Sequence, residues 1–203
     1  MWITDWFRRK AKTATSPETG IHFVAQLNVR IMPMDRGTVF EDPLDEFLRQ
    51  HRLGEVTGGG TKMAPEPDGI SHCDAEIRLE KANDTVASQV IEFLENLGAP
   101  KGSVFRQASG AEARPFGLAE GLGLFLNGID LPQEVYASTD INDVIDGCAK
   151  ALGGQGALLG SWQGSRETAL FFYGPSFQEM QAALIGYVAT APLCEKSRFV
   201  QIA

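Results

Sequence analysis

The sequence predicts an α+β fold built from two tandem copies of one small unit, each running strand, helix, strand, strand, helix, strand. Three observations carry that expectation. The chain has 203 residues, 43% of them hydrophobic and 22% charged, enough to bury one core or two small ones. Its segments switch between a two-residue and a 3.6-residue apolar period in that order. The second half also repeats the apolar register of the first.

In the first copy, Phe23, Ala25, Leu27, Val29 and Ile31 alternate with Val24, Gln26, Asn28 and Arg30, a half-buried strand. Asp42 and Pro43 then read as the N-cap and first residue of a helix that shows Leu44, Phe47, Leu48 and His51 on one face and ends before Gly54. Residues 55–61 and 70–80 form a hairpin around Pro65, Pro67 and Gly69. A helix with Val86, Val90, Phe93, Leu94 and Leu97 follows, and a last strand carries Ser103, Phe105 and Gln107.

A gapless shift carries Leu27 onto Leu124, Val29 onto Leu126, Asp42 onto Thr139, Leu44 onto Ile141, Phe47 onto Val144, Leu48 onto Ile145 and His51 onto Cys148. The second hairpin, 157–173, is shorter and turns at Gln163-Gly164. Its helix, with Met180, Leu184, Tyr187 and Val188, opens on the capping box Ser176-x-x-Glu179. The last strand repeats Ser-x-Phe-x-Gln at Ser197, Phe199 and Gln201.

This element order resembles the ferredoxin-like split β-α-β fold, duplicated. The run from Gly54 to Thr61 is similar to segments of uncharacterised bacterial proteins. The resemblance implies two antiparallel sheets, each with helices on one face, and implies no activity. The expected organisation is an arm and linker over 1–20, a first repeat over 21–107, a connector over 108–116 and a second repeat over 117–203.

The formal charge of −8 and pI near 4.9 disfavour a phosphate-neutralising surface and so a nucleic-acid partner. Three dispersed cysteines, Cys73, Cys148 and Cys194, spell no zinc site or disulfide framework and fit a reducing cytoplasm. No apolar run has the length of a bilayer span, and the N-terminus has no apolar region of a signal peptide. The arm reverses the charge of the body. Residues 1–12 carry +3, with Trp2, Ile3, Trp6 and Phe7 on one helical stripe beside Arg8, Arg9, Lys10 and Lys12. Docking on the body or on a second subunit through Trp2 and Trp6 is the first reading of this arm, and contact with an anionic membrane the second.

The open sheet faces are the places to look for function. In the first repeat, His22, Gln26, Asn28 and Arg30 would lie beside His72, Asp74, Glu76 and Arg78, with Asn28 and Arg30 near His72 and Asp74. Arg30, His72, Asp74 and Glu76 are therefore the candidate binding residues, able to serve as acid, base or ligand or to form a solvated face of ion pairs. In the second repeat Gly121, Gly123 and Phe125 would lie beside Ala169, Phe171 and Tyr173, an apolar face that needs a cover. Burial of one sheet against the other is the expected cover, a second subunit or a ligand the alternatives.

No catalytic motif is present. Gly58-Gly59-Gly60 lacks the frame of a phosphate loop, Gly153-Gly154-Gln155-Gly156 reads as a helix end, and Asp35-Arg36-Gly37 reads as a turn. His51 and Cys148 read as core residues and Cys73 as inert, whereas Cys194, in a loop, reads as the most accessible thiol. The sequence thus points to an acidic binding or regulatory module for a protein partner, on the pattern of an immunity protein, or to a homo-oligomer. It implies no cofactor and no metal. The rival is a small-molecule sensor or enzyme that uses the polar face of the first repeat.

Overall fold

A computed structural model describes residues 20–203 apart from Ala82 and Ala111; the arm, with Trp2 and Trp6, lies outside the described residues. In the first repeat β1 (Ile21–Leu27) leads through α1 (Pro33–Arg36), a π-helical turn (Gly37–Glu41) and α2 (Asp42–Gln50) to the hairpin β2 (Gly54–Met63) and β3 (Ile70–Leu79), then α3 (Asp84–Asn96) and β4 (Ser103–Gln107). A further strand, β5 (Ala113–Phe116), follows. The second repeat runs β6 (Glu120–Asn127), α4 (Gln133–Ser138), α5 (Ile141–Leu152), β7 (Ala157–Gln163), β8 (Glu167–Gly174), α6 (Phe177–Val188) and β9 (Arg198–Gln201).

The sheet orders are β2-β3-β1-β4-β5 and β7-β8-β6-β9. Within each repeat the first and third strands are central and all pairings are antiparallel, which is the ferredoxin-like order. The fold is α+β and duplicated. Each repeat has its own core. Ala25, Leu27, Ala75, Ile77 and Phe105 pack under Leu44, Leu48, Val90 and Leu94 in the first, and Leu122, Leu124, Leu170 and Phe172 pack under Val144, Cys148, Met180 and Leu184 in the second. The hairpins share one irregularity. A bulge separates Val56 from Gly58 and Leu158 from Gly160 at the same point of the two second strands, and a shared bulge argues for true internal repetition.

Four expectations are corrected. The first helix does not start at Asp42, because a continuous helical stretch begins at Pro33. Pro43 has no N–H to offer the preceding turn, and the backbone absorbs this with the π-helical turn, in which the Asp42 N–H reaches the Gly37 carbonyl. The connector is not merely a link, since β5 pairs with β4 and widens the first sheet. The gapless match is two residues out of register in the first strands. Ala25, not Leu27, corresponds to Leu124, since Ala25 pairs with Phe105 and Leu124 with Phe199. A shift of two keeps every apolar side chain on the same face, so the pattern alone is blind to it. Finally, His51 lies exposed at the end of α2, tilted against Phe47, whereas Cys148 is buried.

The apolar face of the second sheet is covered, though not by the first sheet's open face. The loop end of the first repeat, Asn28 to Ile31 with the β2–β3 loop, lies over it. Val29 and Ile31 share one core with Phe125, Ala169, Phe171 and Tyr173. The Arg30 main-chain N–H donates to the Tyr173 hydroxyl at 2.8 Å, and the Arg30 guanidinium stacks 5.4 Å from the Phe171 ring centre while pairing with Asp68. The Trp162 ring lies against Gly69, which has φ +67 and no room for a Cβ. Glu66 accepts from the Ser165 N–H and hydroxyl. Gly160 sits so close under the Arg30 carbonyl that a Cβ would come within 2.3 Å of it.

Gly160→Ala is therefore expected to lower stability by about 1–3 kcal/mol in urea unfolding, because the clash is with backbone. Gly186→Ala, in the exposed interior of α6 with open space at the Cβ position, is expected to raise it by about 0.5–1 kcal/mol. Equal effects at the two sites would refute the close approach of the repeats.

Candidate functional site

The candidate residues on the first sheet do not come together as a site. Gln26 pairs with Asp74 and Val24 with Glu76, so Arg30 lies beyond the end of the strand and reaches Asp68, not Asp74. His72 bonds the Ser71 hydroxyl at 3.0 Å, Asp74 accepts from Gln26, and Glu76 is exposed. Among the described residues no group of three His, Cys, Asp or Glu side chains is arranged to hold a metal ion. None of the three clefts described next is lined by His72, Asp74 or Glu76. Gly121, Gly123, Phe125, Phe171 and Tyr173 are buried inside the chain, so the expected interface is an internal one.

A cleft of about 740 Å³ opens at the loop end of the second repeat. Its walls are the end of β6 at Leu126 and Asn127, the segment Tyr136 to Asp143 that joins α4 to α5, and the β7–β8 turn from Gln163 to Thr168. Gly164, Arg166 and Glu167 at the tip of that turn also line a second cleft of about 370 Å³ with Glu66, Pro67 and Ile129. A third, of about 150 Å³, lies by Phe23 and Asn83.

The local sequence explains the opening. The second hairpin turns directly after Gln163, whereas the first runs on to Met63 and folds its loop over the neighbouring repeat. The helical stretch is also interrupted: α4 ends at Ser138, Tyr136 pins the loop by donating to the Asn127 carbonyl and accepting from the Leu131 N–H, and α5 starts on its own cap, Asp140, which accepts from the Asn142 N–H at 2.9 Å. That cap complements the partial positive charge of the helix start.

The first repeat shows what fills the matching space. Thr61 pairs with Cys73 as Gln163 pairs with Thr168, and Cys73 pairs with Leu27 as Thr168 pairs with Leu126. Over Thr61 and Cys73 lies Arg36, only 8% exposed, its Nε 2.8 Å from Glu41 and its Nη1 2.8 Å from the Thr61 hydroxyl. Phe40 is fully buried beside it in the same core. In the second repeat the equivalents, Gln163 and Thr168, line the open cleft. Around them stand hydroxyls of Ser138, Thr139 and Ser165 and carboxylates of Asp140, Asp143 and Glu167, with Arg166 the cation of the lining. Glu167 is paired with Arg198 at 2.7 Å. The Asp143 carboxylate has no partner among the described residues.

Sequence reasoning missed this cleft and read Asp35-Arg36-Gly37 only as a turn. The available signal was the difference between the repeats, a shorter hairpin and no arginine in the second at the place of Arg36.

Burial and ion pairing shift several titratable groups. Burial pushes the Cys148 thiol up to about 12, with Cys194 adding to it, and the Cys194 thiol up to about 11. Burial also raises Cys73. Cys194 is 3% exposed, so it is not the accessible thiol that its loop position suggested. Arg78 holds Glu55 below the usual carboxylate range, and Lys101 does the same for Glu120. Shifts of this direction and cause belong to structural ion pairs and buried thiols.

A scan against protein-family models finds no match, and a search of curated proteins finds none either. Among solved structures the chain is similar to an unknown protein from Galdieria sulphuraria, at 12% identity over 89% of this chain and 96% of that one with a TM-score of 0.27. It is also similar to the regulatory subunit of aspartate kinase from Thermus flavus, at 12% over 83% and 93% with a TM-score of 0.28. A third is the first two RRM domains of the yeast poly(U) binding protein, at 12% over 90% and 99% with a TM-score of 0.23.

The raised thiols make a pH prediction. Above pH ~9 the unfolded chain ionises its cysteines while the folded chain keeps them protonated, so folding stability falls as pH rises from ~9 toward 11 or 12 and is unaffected below ~9. Urea unfolding of Cys148→Ala/Cys194→Ala across that window is expected to show a shallower fall than the unaltered chain. Equal slopes would contradict the burial of these thiols.

Proposed function

We propose that this chain is a protein-binding module that takes an arginine side chain of its partner into the cleft of the second repeat. The observation that carries this reading is Arg36. The same place in the first repeat is occupied by a guanidinium held between a carboxylate and a hydroxyl, and the second repeat offers carboxylates and hydroxyls around an open space. A guanidinium suits such a lining because it is planar, permanently charged and carries five donors in a fixed fork. The net charge of −8 favours approach of a basic segment. Arg166, at the rim of the cleft, opposes it.

The reading is of binding, carried by the carboxylates and hydroxyls of the lining. It agrees with the expectation of an acidic module for a basic protein and makes that expectation specific to one side chain.

The test is fluorescence anisotropy with a labelled Gly-Arg-Gly-Arg-Gly peptide and its lysine counterpart on the full chain. The arginine peptide is expected to bind more tightly, Asp143→Asn to weaken it about tenfold, and Arg166→Ala to tighten it. Equal affinity for both peptides, or no response to Asp143→Asn, would defeat the proposal.

A further inference from the structure

We infer that the segment seated in this cleft is the arm of a second copy of the chain, with Arg8 or Arg9 as the inserted guanidinium. The inference rests on the proposed function and names its partner. The charges are complementary: residues 1–12 carry +3, whereas the cleft and its neighbour across the hairpin tip present Asp140, Asp143, Glu167, Glu66 and Asp130 against one arginine, Arg166. The apolar content also corresponds. Trp6 and Phe7 directly precede the arginines, and Leu126, Ile141 and Leu193 form the apolar part of the cleft wall, with Ile129 exposed at the adjoining one. In the first repeat the arginine at the equivalent place, Arg36, is followed one helical turn later by the buried Phe40.

Geometry selects a second copy over the chain's own arm. The arm joins the body at Gly20, packed against Arg78 near the end of β3. The cleft lies past the other end of that strand, where Glu66 of the β2–β3 loop meets Ser165. From Arg78 to Ile70 alone is about 26 Å at ~3.3 Å per residue, with the loop and the hairpin tip still to cross. A chain from Arg9 to Gly20 has a relaxed span of about 18 Å, and about 36 Å drawn fully taut. Insertion in the chain's own cleft thus needs a nearly straight linker, whereas a neighbour's cleft needs none of that extension. Two arms exchanged in this way make a closed pair.

The experiment is sedimentation velocity on full chains with a charge exchange, Arg8→Glu/Arg9→Glu in one variant and Asp143→Lys in another, folding being verified by circular dichroism. The unaltered chain is expected to dimerise at micromolar concentrations, each variant alone to associate at least about tenfold more weakly, and an equimolar mixture of the two to recover the dimer. A dimer indifferent to Arg8→Glu/Arg9→Glu overturns the inference. So does a monomer at all concentrations; if Gly-Arg-Gly-Arg-Gly then binds, the cleft reading survives and only its occupant is wrong. If the unaltered chain is itself monomeric and peptide binding appears only in the Arg8→Glu/Arg9→Glu variant, the cleft belongs to the chain's own arm and exchange is overturned. Should Asp143→Lys fail to fold, the arm variant alone, which alters none of the described residues, still decides between these outcomes.

Discussion

The docking of the first repeat's loop end onto the apolar sheet of the second is the contact on which the rest of this molecule depends. An open ferredoxin-like sheet of glycine, alanine and phenylalanine cannot face water at this size without inviting association. Arg30 closes it in two ways at once, its main-chain N–H on the Tyr173 hydroxyl and its guanidinium over Phe171. Burial raises the Tyr173 phenol, despite the hydrogen bond and charge of Arg30, so its hydroxyl stays protonated. Arg30 with Tyr173 and Glu66 with Ser165 are paired across this junction, whereas the Trp162 indole N–H is buried without a partner among the described residues.

That contact makes two copies of one unit unequal. The first repeat spends its loop end on the second, and its long hairpin loop and the segment Asn28 to Ile31 are what reach across. In the second repeat the shorter hairpin and interrupted helix leave the corresponding end open among the described residues. Duplication thus supplies an internal reference: Arg36 fills, in one copy, a place that is open in the other. The polar face of the first sheet, by contrast, is a surface of cross-strand pairs such as Arg78 with Glu55 and Gln26 with Asp74.

Much of the fold was legible in the sequence because its signals are local and periodic. The alternation through β1, the capping box of α6 at Ser176 and the short turns all act within a few residues. The misread points were those where a local rule met a neighbour. Pro43 marks a helix start by rule, yet packing of Phe40 and Arg36 keeps the stretch helical through it, with a π-helical turn absorbing the lost hydrogen bond. Cys194 sits in a loop by sequence, but that loop is a short 3-10 turn packed into the second core.

What the sequence by itself determined is the unit and its duplication, since side-chain periodicity dictates which face of each strand and helix is buried wherever the chain folds. It also determined that one sheet face is apolar and must be covered. Only the tertiary structure decided what covers it, which register of two equivalent ones the first strands adopt, and that Arg36 is a buried guanidinium with a vacant counterpart. Those choices depend on pairs of residues far apart in the chain, such as Arg30 with Tyr173 and Arg36 with Thr61, and a period of two residues carries no information about them.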